Sequence, residues 1–169
     1  ETFQTMYDKS SDAILIVNKH SVQDCNVAAV HLFKFASKQD LLRSTLSKLS
    51  PQTQQDGMDS TQKLYESFKK TFQDGNHTFE WLHINNDGEE FWCEIVLTKI
   101  ELNAEDVIHG VWRDISFRKK LELENLEVKK NILNLNKNLE SKIEYEVAKN
   151  REKDKQMLQQ SRLAQMGEM

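Results

Sequence analysis

The chain has 169 residues, of which 38% are hydrophobic, and a formal net charge of −4. No stretch approaches the roughly 20 consecutive apolar residues of a membrane span, and the strongly basic face that nucleic-acid binding needs is missing from both halves of the sequence. Cys25 and Cys93 lie far apart without CxxC spacing, which favours reduced thiols over a disulfide scaffold. We therefore expect a cytoplasmic module without a nucleic-acid partner. Segments upstream of Glu1 would have to supply any membrane anchor.

The apolar residues divide the chain in two. All three tryptophans and seven of the eight phenylalanines precede Ser116, so that part can form a core. Residues 111–166 contain neither glycine nor proline and are rich in charge, which is typical of a long solvated helix. The sequence predicts a folded domain over residues 1–116, with an N-terminal helical segment at residues 1–11, and a helical linker over residues 117–158.

The predicted elements alternate in kind along the first part. A β-branched run at 13–17 and a partner strand at 22–25 precede short helices that begin at Asn26 and Lys38. The best-formed helix covers 62–72 and ends at Gly75. Three further strands follow at 77–84, 90–100 and 107–115. The fold class is α+β, with an antiparallel five-stranded sheet and helices on one face.

This order and its corner residues resemble the PAS family of sensory domains. The matching motifs cover residues 1 to about 120, and they are Asp12-Ala13-Ile14, Asn26-x-Ala28-Ala29-x-x-Leu32-Phe33, Leu49-Ser50-Pro51, Asp87-Gly88-x-x-Phe91-Trp92 and Gly110-Val111-Trp112-Arg113-Asp114-Ile115-Ser116-x-Arg118-Lys119. The resemblance implies a signal relay at the end of the last strand. Asp114 and Ser116 would fix the start of the following helix, with Arg118 as a charge partner of Asp114. The simpler interpretation from the residues alone is that Ser116 is a helix N-cap and Arg118 a solvated basic residue.

The resemblance also implies a ligand pocket between sheet and helices. Alternation along the strands groups Trp81 with His83 on one face, but it does not say which face is inward. The candidate pocket residues are Cys25, Leu32, Phe72, Trp81, His83 and Trp92.

No cofactor is expected at this pocket. The helix at 62–72 lacks the histidine of haem-binding PAS proteins, the flavin-adduct cysteine motif is absent, and the strand histidines are interpreted as surface or hydrogen-bonded residues rather than metal ligands. The remaining choices are an unidentified small molecule or no ligand. The five glycines form no phosphate-binding loop, so this part of the protein is not itself an enzyme.

The second part has the pattern of a parallel coiled-coil homodimer. Apolar residues recur at a and d positions, and an asparagine at one a position would select a two-stranded register. These positions are Leu121, Asn125, Val128, Ile132, Leu135 and Leu139.

The segment 159–169 resembles the start of the dimerisation and phosphoacceptor domain of sensor histidine kinases. The similar residues are Leu163-Ala164-x-Met166-Gly167-Glu168-Met169, ahead of where the family has its phosphorylated histidine. We therefore expect kinase domains beyond Met169, and through them a response regulator as partner. Two alternatives remain open, which are a ligand-free PAS dimerisation adaptor and a PAS input of a cyclic-nucleotide enzyme.

Overall fold

The computed structural model describes residues 2–18, 21–102 and 104–167 of the chain. Glu1 of the predicted N-terminal segment, and Glu168 and Met169 of the predicted kinase segment, lie outside the described residues. A 3-10 turn at Leu46–Leu49 follows the third helix. The helices are α1 (Thr2–Lys9), α2 (Val27–Leu32), α3 (Lys38–Arg43), α4 (Ser60–Asp74) and α5 (Ser116–Gly167). The strands are β1 (Ala13–Val17), β2 (Val22–Cys25), β3 (Asn76–Ile84), β4 (Glu90–Leu102) and β5 (Glu105–Asp114).

The five strands form one antiparallel sheet in the order β2-β1-β5-β4-β3. The predicted fold class is confirmed, because this sheet carries short helices and is followed by the long helix α5. In the centre of the sheet, Gly110 of β5 lies between Leu15 of β1 and Leu97 of β4. β3 is an edge strand, and its strand partner is β4.

One face of the sheet, here called the inner face, packs against α2, α3 and α4. Its central side chains are no more than 2% exposed because strand alternation turns them all toward the helices. They include Trp81 of β3, Cys93 and Ile95 of β4, and Trp112 of β5. Trp81 and His83 therefore point inward, which resolves the choice of face that the sequence left open.

A buried asparagine joins the first elements of the domain. Asn26 is 1% exposed and caps α2 by accepting a hydrogen bond from Ala29 N–H. Its Oδ1 also accepts from Ile14 N–H, while its Nδ2 donates to the carbonyls of Tyr7 and Asp12. The amide thus links α1, β1 and α2, and both of its ends have partners, as burial requires.

Helix α4 begins two residues before its predicted start. The Asp59 carboxylate accepts a hydrogen bond from Gln62 N–H at 3.0 Å, which is N-cap geometry. Gly75 ends the helix as predicted, with a left-handed φ of +85° that glycine tolerates best.

Contacts divide the chain into two units, Glu1–Lys119 and Lys120–Met169, and α5 runs through the division. No helix in the described ranges has an apolar stretch long enough to cross a membrane. Among these same residues, no group of three or more His, Cys, Asp or Glu side chains is placed to hold a metal ion.

Candidate signalling site at the sheet-to-helix joint

Side-chain and backbone hydrogen bonds hold the joint between β5 and α5. The Asp114 carboxylate accepts from Ser116 N–H at 2.8 Å, so Asp114 satisfies an amide at the start of the helix. The Ser116 hydroxyl accepts from Trp92 N–H at 2.9 Å, and the Trp92 carbonyl accepts from Ile115 N–H at 2.8 Å. Strand β4 therefore binds Ile115 and Ser116 of the joint through the carbonyl and the N–H of Trp92.

Glu80 of β3 binds two cations of the first helical turn. Arg118 Nη2 lies 2.7 Å from Glu80 Oε1, and Lys119 Nζ contacts the other carboxylate oxygen. The Lys119 ammonium also lies 5.2 Å from the centre of a Trp92 ring, within cation–π range. The hydrogen bond from Lys119 and the positive charges of Lys119 and Arg118 hold the pKa of the Glu80 carboxyl below its usual range.

Further ion pairs cross the outer face of the sheet, the face opposite the helices. Glu94 lies between two guanidinium groups, 3.9 Å from Arg118 Nη1 and 3.7 Å from Arg113 Nη1. Arg113 in turn binds both carboxylate oxygens of Asp12, at 2.8 and 3.3 Å. The charges on the outer face thus extend from the residue before β1 to the start of α5.

The structure assigns other contacts to two residues of the predicted relay. Arg118 forms ion pairs with Glu80 and Glu94, because strand β3 brings Glu80 to the helix start. Ser116 is the first residue of α5, and its hydroxyl accepts from Trp92 of a neighbouring strand. The hydroxyl is therefore a link between elements, and the capping oxygen belongs to Asp114.

Aromatic side chains fill the space between the inner face and the helices. Trp81, Trp112, Phe33 and His83 are each at most 2% exposed. The Trp112 indole lies over Gly110, where a Cβ would be 2.3 Å from its nearest ring atom. Gly110 thus provides the room that Trp112 occupies.

His83 is held in one tautomer at the centre of this cluster. Trp112 Nε1–H can only donate, and it lies 3.0 Å from His83 Nε2, so that nitrogen carries no proton. The proton is therefore on Nδ1, which donates to the Leu49 carbonyl at 2.7 Å. Burial lowers the pKa of His83 to about 4. Both ring nitrogens are engaged, and metal ligation by His83 would break one of these bonds.

The buried histidine predicts acid sensitivity of the fold. Above pH 6.5, His83 is neutral in the folded domain and in the unfolded chain, so its titration does not lower the free energy of unfolding. Between pH 6.5 and about 4, His83 is protonated in the unfolded chain but stays neutral in the folded domain. The free energy of unfolding therefore falls as the pH falls, by about 3 kcal/mol in total.

Urea unfolding at pH 7.5, 6 and 5 measures this loss. A His83→Gln variant should have a shallower pH dependence than the unmodified chain. A His109→Gln control should keep most of the original dependence, since His109 is only half-buried and its pKa is lowered less. Equal slopes for the unmodified chain and His83→Gln would contradict the assignment.

The predicted pocket residues lie on both faces of the sheet. Trp81 and His83 lie in the core, and Cys25 is buried on β2. Leu32 of α2 is half-buried against that core. Trp92 lies on the outer face beside Lys119, so it cannot line a pocket on the inner face.

The sixth predicted pocket residue, Phe72, lines an open groove beside α4 with a volume of about 800 Å³. Tyr65 and Phe68 extend its apolar side, and the ion pair between Lys99 and Asp106 lies at its rim. Phe72 also packs against the core cluster that contains Trp81 and Cys25.

Sequence reasoning missed three residues that shape these sites. Gly110 and Trp112 are two positions apart, and this spacing places them on one face of a strand. Glu80 is adjacent to Trp81, so a strand turns it to the opposite face, and an acidic residue there could have suggested a partner for the Arg118-Lys119 pair. The alternation in β3 was thus the available signal for Glu80.

The predicted coiled-coil residues all lie on α5. Five of them are large apolar side chains between 42% and 62% exposed, although burial is the norm for such side chains: Leu121, Val128, Ile132, Leu135 and Leu139. Asn125 is also exposed. Within the helical unit beyond Lys119, no described residue is buried.

The family model described as PAS domain matches residues 11–117, which is more than half of the chain. The chain belongs to the PAS domain family. A comparison with curated proteins found no match.

Solved PAS domains have the same fold. One from Colwellia psychrerythraea is 21% identical with a TM-score of 0.58, covering 68% of this chain and 95% of that one. A PAS domain of a two-component sensor histidine kinase is 16% identical with a TM-score of 0.54, covering 67% and 96%. The PAS domain of nitrogen regulation protein NR(II) from Vibrio parahaemolyticus is 17% identical with a TM-score of 0.56, covering 68% and 99%.

Proposed function

We propose that this chain is the signal-input and dimerisation module of a two-component sensor histidine kinase. The observation that carries the proposal is the joint at Asp114, where the last strand of a PAS sheet continues into a 52-residue helix. A change in the sheet would shift this helix between two arrangements and so control autophosphorylation in domains beyond Met169. A response regulator would receive the phosphoryl group.

Dimerisation through α5 is supported by its exposed apolar residues. In a parallel in-register pair, the a and d side chains from Leu121 to Leu139 would bury one another. Glu124 then falls at a g position and Lys129 at the following e position, so each Glu124 would meet the partner's Lys129 with opposite charge. The asparagine at position 125 would select this register.

Kinase output is supported by two independent likenesses. The segment 159–169 resembles the start of a phosphoacceptor domain, and structural neighbours include PAS domains of sensor histidine kinases. A cyclic-nucleotide enzyme would be the better proposal if the residues after Met169 lacked a phosphoacceptor histidine. We place the module in the cytoplasm, since Cys25 and Cys93 are unpaired thiols in the core.

A ligand-free adaptor is the second candidate, and the filled core favours it. Trp112 and His83 occupy the centre of the space between sheet and helices and bind each other there. A ligand at that position would have to displace the Trp112 indole. In this form the PAS domain would transmit a change that reaches it from another domain.

The test is Asp114→Ala in the complete protein. The loss of its hydrogen bond to Ser116 N–H should cost about 1 kcal/mol of stability. The balance between output states should change more, by roughly 5- to 150-fold, because the joint couples sheet and helix. Autophosphorylation with and without the stimulus measures that balance alongside thermal unfolding.

Asp59→Ala is the matched control. Asp59 caps α4 with the same kind of bond, at 3.0 Å, so its replacement should lower stability to a similar degree and leave regulation unchanged. Normal regulation of Asp114→Ala would make Asp114 a structural cap only. The absence of any autophosphorylation by the unmodified protein would overturn the kinase proposal.

A further inference from the structure

Strand β3 contacts different parts of the domain through its two faces and its edge. On the inner face, Trp81 Nε1 donates to the Ser50 hydroxyl at 2.9 Å, and His83 binds the Leu49 carbonyl. On the outer face, Glu80 holds Arg118 and Lys119. One short strand therefore links the segment around the 3-10 turn to the first turn of α5.

The outer edge of β3 is occupied by a side chain where a sheet would have another strand. Gln54 Oε1 accepts from Leu82 N–H at 3.0 Å, and Gln54 Nε2 donates to the Leu82 carbonyl at 3.2 Å. Gln54 also donates to Ser60 at the start of α4, at 2.9 Å, and is only 5% exposed. The position of β3 thus depends on the helical side of the domain through a buried amide.

We propose that β3 transmits changes in the segment 49–60 to α5, with Glu80 as the positioning residue for the first helical turn. This inference rests on the proposed signalling role of the joint and names a second input to it. Asp114 acts at the end of β5, whereas Glu80 acts from the opposite edge of the sheet.

The expected signature is a change in helix order with little change in stability. The side chains of Glu80 and Arg118 are 39% and 47% exposed, and ion pairs exposed to that degree contribute little to the free energy of folding. If Glu80 had only a structural role, its replacement would change the order of α5 and the free energy of folding together. A positioning role affects the first turn of α5 and leaves the rest of the domain in place.

Hydrogen exchange on the 169-residue chain tests whether Glu80 holds the first turn of α5 in place. In Glu80→Gln, the amides of residues 119–123 should exchange about 5- to 10-fold faster, while amides in β4 and β5 keep their rates. Glu90→Gln is the matched control, because Glu90 is an exposed residue of β4 on the same outer face and makes no ion pair within the described part of the chain.

A double-mutant cycle tests whether Gln54 affects the first turn of α5 through Glu80. Gln54→Ala should speed exchange at residues 119–123 by roughly 3-fold or more when Glu80 is present and leave it unchanged in a Glu80→Gln background. Equal effects in both backgrounds, or a Glu80→Gln chain with the exchange rates of Glu90→Gln, would overturn the proposal. Neither measurement involves kinase output, so a failure of the kinase proposal would be seen separately, in autophosphorylation.

Discussion

Replacing Gly110 by alanine is expected to destabilise the sensor domain by about 3 kcal/mol, near the upper end of the usual cost of overpacking a core. The new Cβ would lie 2.3 and 2.6 Å from two atoms of the Trp112 indole and 3.1 Å from a Leu97 methyl carbon. The indole cannot move without breaking its hydrogen bond to His83. Since an alanine with room to fit would stabilise by restricting the unfolded chain, a net loss identifies the clash.

Urea unfolding at pH 7.5 measures this loss, and Gly88→Ala is the control. Gly88 has a φ of +83° and nothing within 4 Å of an added Cβ, so alanine there costs about 1–2 kcal/mol of backbone strain without a clash. Adding Trp112→Phe to Gly110→Ala should recover about 1 kcal/mol or more relative to the sum of the single losses. A Gly110→Ala loss no larger than that of the control would contradict the tight contact.

Replacing Ile132 by aspartate is expected to weaken the proposed homodimer about 1000-fold. The substitution would place a carboxylate from each chain in the middle of the apolar seam, where burial of a charge is costly. A 1000-fold change corresponds to about 4 kcal/mol. Sedimentation equilibrium over a range of protein concentrations gives the dissociation constant.

Leu133→Asp provides the comparison. Leu133 is 69% exposed and adjacent to Ile132, but the heptad places it outside the seam. The control chain should remain dimeric. Equal dissociation of both variants would show that the seam is not at the a and d positions. If a chain ending at Ser116 remained a tight dimer, the interface would belong to the sensor domain.

The elements were predictable because each depends on nearby residues. The β-branched run at 13–17, the Asp87-Gly88 turn and the glycine at position 75 each specify local geometry without reference to the rest of the chain. The 3-10 turn at 46–49 was missed, since so short an element has no periodic pattern of its own. Helix α4 starts at Ser60, two residues before its predicted start, because Asp59 caps it.

The contacts between distant residues were not predictable in the same way. Arg118 and Glu80 are 38 residues apart, and only the register of β3 against β4 brings them together. The inward face of β4 was ambiguous because apolar residues occur on both of its faces, with Trp92 and Val96 on one and Ile95 and Leu97 on the other. The pairing of His83 with Trp112 likewise depends on which face is buried.

The four hydrogen bonds of the Asn26 side chain determine where the folding unit of this domain begins. The family match starts at residue 11, yet Asn26 Nδ2 donates to the carbonyl of Tyr7, whose ring is only 7% exposed. A recombinant chain cut at residue 11 would lose that acceptor and that ring, and so would expose a polar group of the core together with the apolar surface beneath it. Helix α1 is therefore part of the folded PAS domain, and any transplant of this domain into another protein should carry α1 with it.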